Sequence, residues 1–153
     1  FLITLPVMAV YAENVAPVGM IDYLLAFLFM VAIFIEYIAD QQQYDFQTEK
    51  YNRMYSDKDL GIYEDGFVSK GLWAFVRHPN YAAEQAIWVI LYLFSVQATG
   101  QWFNWSIGGA ILLILLFRGS ANFSEEISAS KYPKYKEYQE KVPRFIPNFL
   151  KRK

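Results

Sequence analysis

Two polar strings carry the side chains able to do chemistry. The first, Glu36-Tyr-Ile-Ala-Asp40-Gln-Gln-Gln43, spaces Glu36, Asp40 and Gln43 at i, i+4 and i+7, so a helix projects all three from one face. The second, Arg77-His78-Pro79-Asn80-Tyr81-Ala-Ala-Glu84, gathers a guanidinium, the only imidazole of the chain, an amide, a phenol and a carboxylate within about two helical turns. Pro79 cannot donate a backbone N–H and has a fixed φ, which suits the first turn of a helix. Free N–H groups at such a start, with Arg77 beside them, suit a phosphate or a carboxylate. Glu84 follows Asn80 by one turn, and a carboxylate inside an apolar helix requires water, a ligand or an arginine. The plainer readings are acids that reach lipid headgroups or pair with Arg77, and a capping histidine. One histidine and no cysteine argue against zinc, thiol chemistry and disulfides, so no metal is expected.

The elements that position these strings are membrane-length apolar segments. Hydrophobic residues make up 55% of the 153 residues and aromatic residues 19%, and they fall in long blocks rather than in the periodic pattern of a soluble domain. Residues 18–39 carry only Asp22 and Glu36 as charges and suffice for about 33 Å of helix. Residues 82–98 and 102–120 form an expected helical hairpin turning at Thr99-Gly100-Gln101, and residues 1–12 resemble the end of a further span. The expected fold class is therefore an all-α, polytopic transmembrane bundle forming one domain, 1–153, the C-terminal portion of a longer chain. The polar stretch 41–77 is expected as an ordered loop with short helices, in which Gly61 and Gly66 mark turns. In the tail, 122–153, Pro133 interrupts any single helix, and Tyr132, Tyr135 and Tyr138 are expected to pack at the membrane interface.

Charge placement sets the expected topology. All 14 basic residues follow position 49; five lie in the 41–77 loop, eight in the tail and one, Arg118, at the end of the last apolar segment, and they avoid the turns near Asn14 and Gly100. By the positive-inside rule, the loop and the C-terminus share the cytoplasmic or matrix-like face. The basic tail rests on anionic membrane lipids or forms a solvated face. Nothing resembles nucleic-acid recognition.

Taken in order, Glu36-x-x-x-Asp40-x-Gln42, Gly71-Leu72-Trp73, Arg77-His78-Pro79-Asn80-Tyr81-x-x-Glu84 with Trp88, Tyr132-Pro133-x-Tyr135-x-x-Tyr138 and Pro143-x-Phe145-Ile146-Pro147 resemble the C-terminal half of the steroid 5α-reductase-like membrane proteins, closest to their bacterial-type branch. That resemblance covers about residues 20–150. It implies a multi-pass reductase that holds NADP(H) in a cavity open to the cytoplasmic side and reduces a C=C bond of a lipophilic steroid, isoprenoid or fatty enone. By position, Glu36, Asp40, Asn80 and Glu84 are implied cofactor contacts; Arg118 begins a stretch of further contacts; His78 and Tyr81 belong to the central motif, and for the hydride transfer so implied Tyr81 is the expected proton donor, oriented by Glu84 or His78. The chain departs from the steroid enzymes in having Glu36 where they have Asn, and Gln47 where they have a basic residue, for which Lys50 or Arg53 is the expected substitute. The acid and tyrosine that polarise the enone there lie in the N-terminal half.

Related isoprenylcysteine and phospholipid methyltransferases share a His-Pro-x-Tyr string followed by paired glutamates that contact S-adenosylmethionine. Glu125-Glu126 supplies such a pair here, so methyl transfer to a lipid or lipidated acceptor is the alternative. A third reading is a non-catalytic subunit with membrane-protein partners, for which Gly108-Gly109-Ala110 offers a close-packing patch.

Overall fold

The computed structural model describes residues 4–11 and 16–148, and all regular structure among them is helical. Five α-helices follow in order: α1 (Leu5–Tyr11), α2 (Met20–Tyr55), α3 (Pro79–Thr99), α4 (Ile107–Lys131) and α5 (Tyr135–Lys141); two short 3₁₀ turns, Gly61–Tyr63 and Gly71–Ala74, lie between α2 and α3. The expected all-α class holds. The expected turn near Asn14 and the last three basic residues lie outside the described residues.

Two of these helices, α2 and α4, are long and apolar enough to cross a membrane. Most of the apolar stretch of each is unburied, with Phe27 65% and Phe34 62% exposed on α2. A soluble core helix would cover those groups; a lipid-facing helix leaves them open. α3 has the length, but Glu84, Gln85 and Gln97 dilute its apolar run.

Two boundaries differ from expectation for a physical reason. α2 does not end near residue 40 but continues through the polar stretch to Tyr55. Side-chain pairs one turn apart, Gln41 Nε2 to Asp45 Oδ1 at 2.7 Å and Arg53 Nε to Glu49 Oε1 at 2.7 Å, support it without an apolar stripe. α4 likewise runs through Arg118 and the acidic segment to Lys131, stopping just before Pro133.

The chain forms two compact units, Phe1–Phe34 with Ala83–Gly119, and Ile35–Ala82 with Ser120–Lys153. The first has an apolar core built by Leu25 and Ala32 of α2, Ile87, Trp88, Ile90, Tyr92 and Val96 of α3, and Ala110 of α4. Its α3–α4 turn buries polar groups that satisfy one another: the Asn104 amide donates to Ser95 Oγ at 3.1 Å, and the Ser106 backbone N–H donates to Asn104 Oδ1 at 3.1 Å. The second unit contains almost all of the chemistry-bearing residues.

In that second unit the motif pieces lock together. Gly71, at φ +64°, lies so close to the Gln42 amide that a Cβ there would come within 2.6 Å of it. The left-handed conformation and the crowding both call for glycine. The turn so formed lets Leu72 N–H donate to Gln42 Oε1 at 2.9 Å and the Trp73 indole to Ala39 carbonyl at 3.1 Å. Tyr132, Tyr135 and Tyr138, expected at the membrane interface, instead surround Phe67, with ring centroids 6.1, 5.0 and 5.2 Å away. Tyr135 and Tyr138 are buried, and the Tyr138 hydroxyl donates to the Trp73 carbonyl.

Candidate functional site

The centre of the second unit is a carboxylate, Glu125 of α4, only 2% exposed. Arg77 reaches it in a two-pronged contact, Nε to Oε1 at 2.9 Å and Nη2 to Oε2 at 3.2 Å. Arg144 does the same, Nε to Oε1 at 3.2 Å and Nη2 to Oε2 at 2.9 Å. Gln139 Nε2 adds a bond to Oε2 at 2.9 Å, and His78 Nε2 lies 2.9 Å from Oε1. Planar guanidinium forks match a carboxylate in this way, and both glutamate oxygens are fully occupied. Arg77 Nη1 is also used, donating to the Gln139 carbonyl at 2.8 Å and to the Val142 carbonyl. The backbone completes the clasp: Arg77 N–H donates to Pro143 carbonyl at 2.9 Å and His78 N–H to Arg144 carbonyl at 3.1 Å.

This arrangement fixes the state of His78. An ionised carboxylate only accepts, so Nε2 carries the hydrogen in that contact. Burial lowers the His78 pKa from its ordinary value of 6.5; Glu125 opposes the shift, and Arg77 and Arg144 reinforce it. A third positive charge is unfavourable where two guanidiniums already surround one carboxylate. His78 is therefore neutral at neutral pH, its ring N–H held by Glu125. Its folded pKa lies below its unfolded value, so its contribution to stability is complete above pH 6.5 and declines as pH falls below that value. Unfolding titrations from pH 8 to pH 5 are expected to show this decline, and His78→Gln is expected to flatten it; an unchanged slope in the variant would assign it to other groups. The buried phenols shift the opposite way. Burial pushes Tyr135 up to about 12 and raises Tyr138 as well, so both remain protonated donors.

A cavity of about 160 Å³ adjoins this clasp, walled in part by Gln43, Trp73, His78, Asn80, Tyr81 and Ser124. The Tyr81 ring stacks on His78 with centroids 5.2 Å apart and planes 14° apart. Asn80 Nδ2 donates to Asp40 Oδ1 at 2.9 Å, which brings the two polar strings of the sequence into direct contact. Gln43, the third member of the α2 stripe, lines the cavity, and its Oε1 is buried without a hydrogen-bond partner. A larger groove of about 640 Å³ shares Val68 with the cavity as a wall; Gln42, Asp45, Glu49, Tyr63 and Lys70 are among its other lining residues.

The expected site residues divide accordingly. Asp40, Arg77, His78, Asn80 and Tyr81 gather in the second unit, with partly buried Glu36 a turn before Asp40 on α2. Glu84 lies beyond Asn80 on α3, in the first unit, where its Oε1 accepts from the Trp88 indole at 2.9 Å. Arg118 is exposed and also belongs to the first unit. Neither expected substitute for the missing phosphate-binding base is uncommitted. Lys50 is 5% exposed, donates to the Gly66 carbonyl at 3.1 Å and faces the Tyr51 ring at 4.8 Å, while Arg53 is held by Glu49 and the Asp59 carbonyl. Lys70, in the groove wall, has no ion-pair partner among the described residues, and sequence reasoning gave it no role. Glu125, Gln139 and Arg144 had been missed as partners of Arg77 and His78, because only the fold brings them together. Among the described residues no group of acids and histidine is arranged to hold a metal.

Fold and site together define an all-helical protein with two bilayer-length helices and a polar unit clasped on a buried glutamate. The chain belongs to the family described as "Protein of unknown function (DUF1295)", whose family model matches residues 1–142. It is similar to a protein of the fission yeast Schizosaccharomyces pombe described only as uncharacterised, with 39% identity over 147 residues; the match covers 91% of this chain and 42% of that relative, less than half its length. No solved structure matches.

Proposed function

We propose that the chain forms the cofactor-holding part of an integral-membrane reductase of the steroid 5α-reductase-like group, which uses NADPH to reduce a C=C bond of a lipophilic substrate. The observation that carries this reading is the 2.9 Å contact between Asn80 and Asp40 beside the inner cavity. It joins the two strings that the reductase resemblance marks as cofactor contacts.

The residues fit the dinucleotide. The 640 Å³ groove is within the ~300–1,000 Å³ range of small-molecule sites, and Lys70 offers an unpaired cation for a phosphate. The cavity beyond Val68 suits a single ring, and Gln43 Oε1 there still needs a donor. NADPH supplies the hydride; the protein's part is to bind, orient and protonate. Asn80 and Asp40 fix the site's edge, and Tyr81, steadied by neutral His78, is placed to deliver the proton. His78 is a positioning residue, since its own N–H is engaged by Glu125. On this reading α2, α3 and α4 cross the bilayer, the polar unit faces the cytoplasmic or matrix-like side where NADPH is supplied, and lipid surrounds the exposed apolar faces. The alternative of methyl transfer relied on Glu125-Glu126. Both Glu125 oxygens are engaged by Arg77, Arg144, Gln139 and His78, which favours the reductase reading over a paired-glutamate contact to S-adenosylmethionine.

Asn80→Ala is expected to weaken NADPH binding to the detergent-purified protein about tenfold, the equivalent of one good hydrogen bond, while its helical circular dichroism stays unchanged. A folded variant that binds as tightly as the parent would place the cofactor elsewhere.

A further inference from the structure

The Oε1 of Gln43 is the buried side-chain polar atom without a hydrogen-bond partner among the described residues. Such orphans are rare in folded proteins, and when one borders a cavity a ligand atom is the natural partner. The volume, about 160 Å³, equals roughly five waters and holds one substituted ring but not a nucleoside. Phe67, Trp73 and Tyr81 give it flat apolar walls. Its chemistry selects a neutral occupant. The Nε, Nη1 and Nη2 nitrogens of the one cationic wall residue, Arg77, are engaged with Glu125 and backbone carbonyls, so an anion finds little attraction. No carboxylate lines the walls, so a cationic amine finds no counter-charge. What the cavity asks for is a planar ring bearing an N–H or O–H donor.

We infer that this cavity is the nicotinamide subsite and that Gln43 Oε1 accepts a hydrogen bond from the carboxamide N–H of that ring. The inference rests on the reductase reading and adds to it a residue that discriminates by ligand chemistry. Gln43 follows Asp40 by three positions on α2, so the stripe that meets Asn80 also reaches the ring.

The test compares NADPH, whose dihydronicotinamide ring is neutral, with its reduced 3-acetylpyridine analogue, in which a methyl group replaces the carboxamide nitrogen and removes the donor. Affinities are measured by calorimetry on the full chain in detergent, with no turnover required. The parent is expected to bind NADPH about tenfold more tightly than the analogue. Gln43→Met, which keeps the length and removes the acceptor, is expected to lose this preference, and Gln43→Glu, which keeps an acceptor, is expected to retain it; circular dichroism verifies the fold of each. If the parent binds both nucleotides equally, or Gln43→Met still discriminates, the assignment of Gln43 is overturned while the reductase reading stands. If the parent binds neither, both are overturned.

Discussion

Glu125→Ala is expected to lower the unfolding free energy by about 3–5 kcal/mol, the usual cost of removing one partner from a buried ionic network. The variant leaves the Arg77 guanidinium, 11% exposed, without its counter-charge, and takes from His78 the acceptor of its ring N–H. It also frees the side chains of Arg144 and Gln139 from the carboxylate, so residues 139–144 are then held by the bonds their carbonyls accept from Arg77 and from the His78 backbone. Glu125→Gln keeps the shape and one acceptor oxygen, and a smaller loss is expected. Reversible denaturation in mixed detergent micelles reads both. A loss below about 1 kcal/mol for Glu125→Ala would mean that the contacts behave as a solvated surface pair and not as the clasp of the unit. Arg144 is 33% exposed at its side chain, so its own replacement is expected to cost less than that of Arg77.

The second large effect comes from a residue without a side chain. Gly66 has φ +81°, and a Cβ there would fall 2.1 Å from a Tyr132 ring carbon. Gly66→Ala therefore meets a strained backbone and a ring that must move away from Phe67 and from Lys50, which stands 5.7 Å above its face. A loss of about 2–4 kcal/mol is expected from the left-handed strain and the overpacking together. Pairing it with Tyr132→Ala is expected to recover the packing part and leave the backbone part. Additive losses in the double variant would show that the two residues do not press on each other.

How much of this was legible in the sequence depended on how local its cause was. Pro79 does begin α3, and Gly61 and Gly66 do sit at turns with positive φ, because proline and glycine act on their own backbone. The Glu36, Asp40, Gln43 spacing placed the three on one face of α2, since helical periodicity needs no tertiary knowledge, but that Gln43 borders a cavity emerged only in the fold. The end of α2 was misplaced by some fifteen residues because a helix held by side-chain pairs such as Glu49–Arg53 shows no apolar stripe. The clasp was not legible at all: Glu125 is 48 residues from Arg77 and 19 from Arg144, and no spacing rule connects them. The tyrosines of the tail were read as interfacial on composition, yet Phe67, distant in sequence, draws Tyr135 and Tyr138 into a protein interior. The candidate site was thus visible as two strings, and their contact through Asp40 and Asn80 emerged only in the fold.

Trp73 lies in the wall of the inner cavity, and a reduced nicotinamide accepts excitation energy from a nearby indole. Titrating the detergent-purified chain with NADPH while exciting tryptophan is therefore the most direct measurement of the central claim. Saturable energy transfer is expected, displaced by NADP⁺, indifferent to S-adenosylmethionine and reduced in Trp73→Phe. Absence of saturable transfer, or a tryptophan signal that S-adenosylmethionine alone saturates, would contradict a nicotinamide site in this unit.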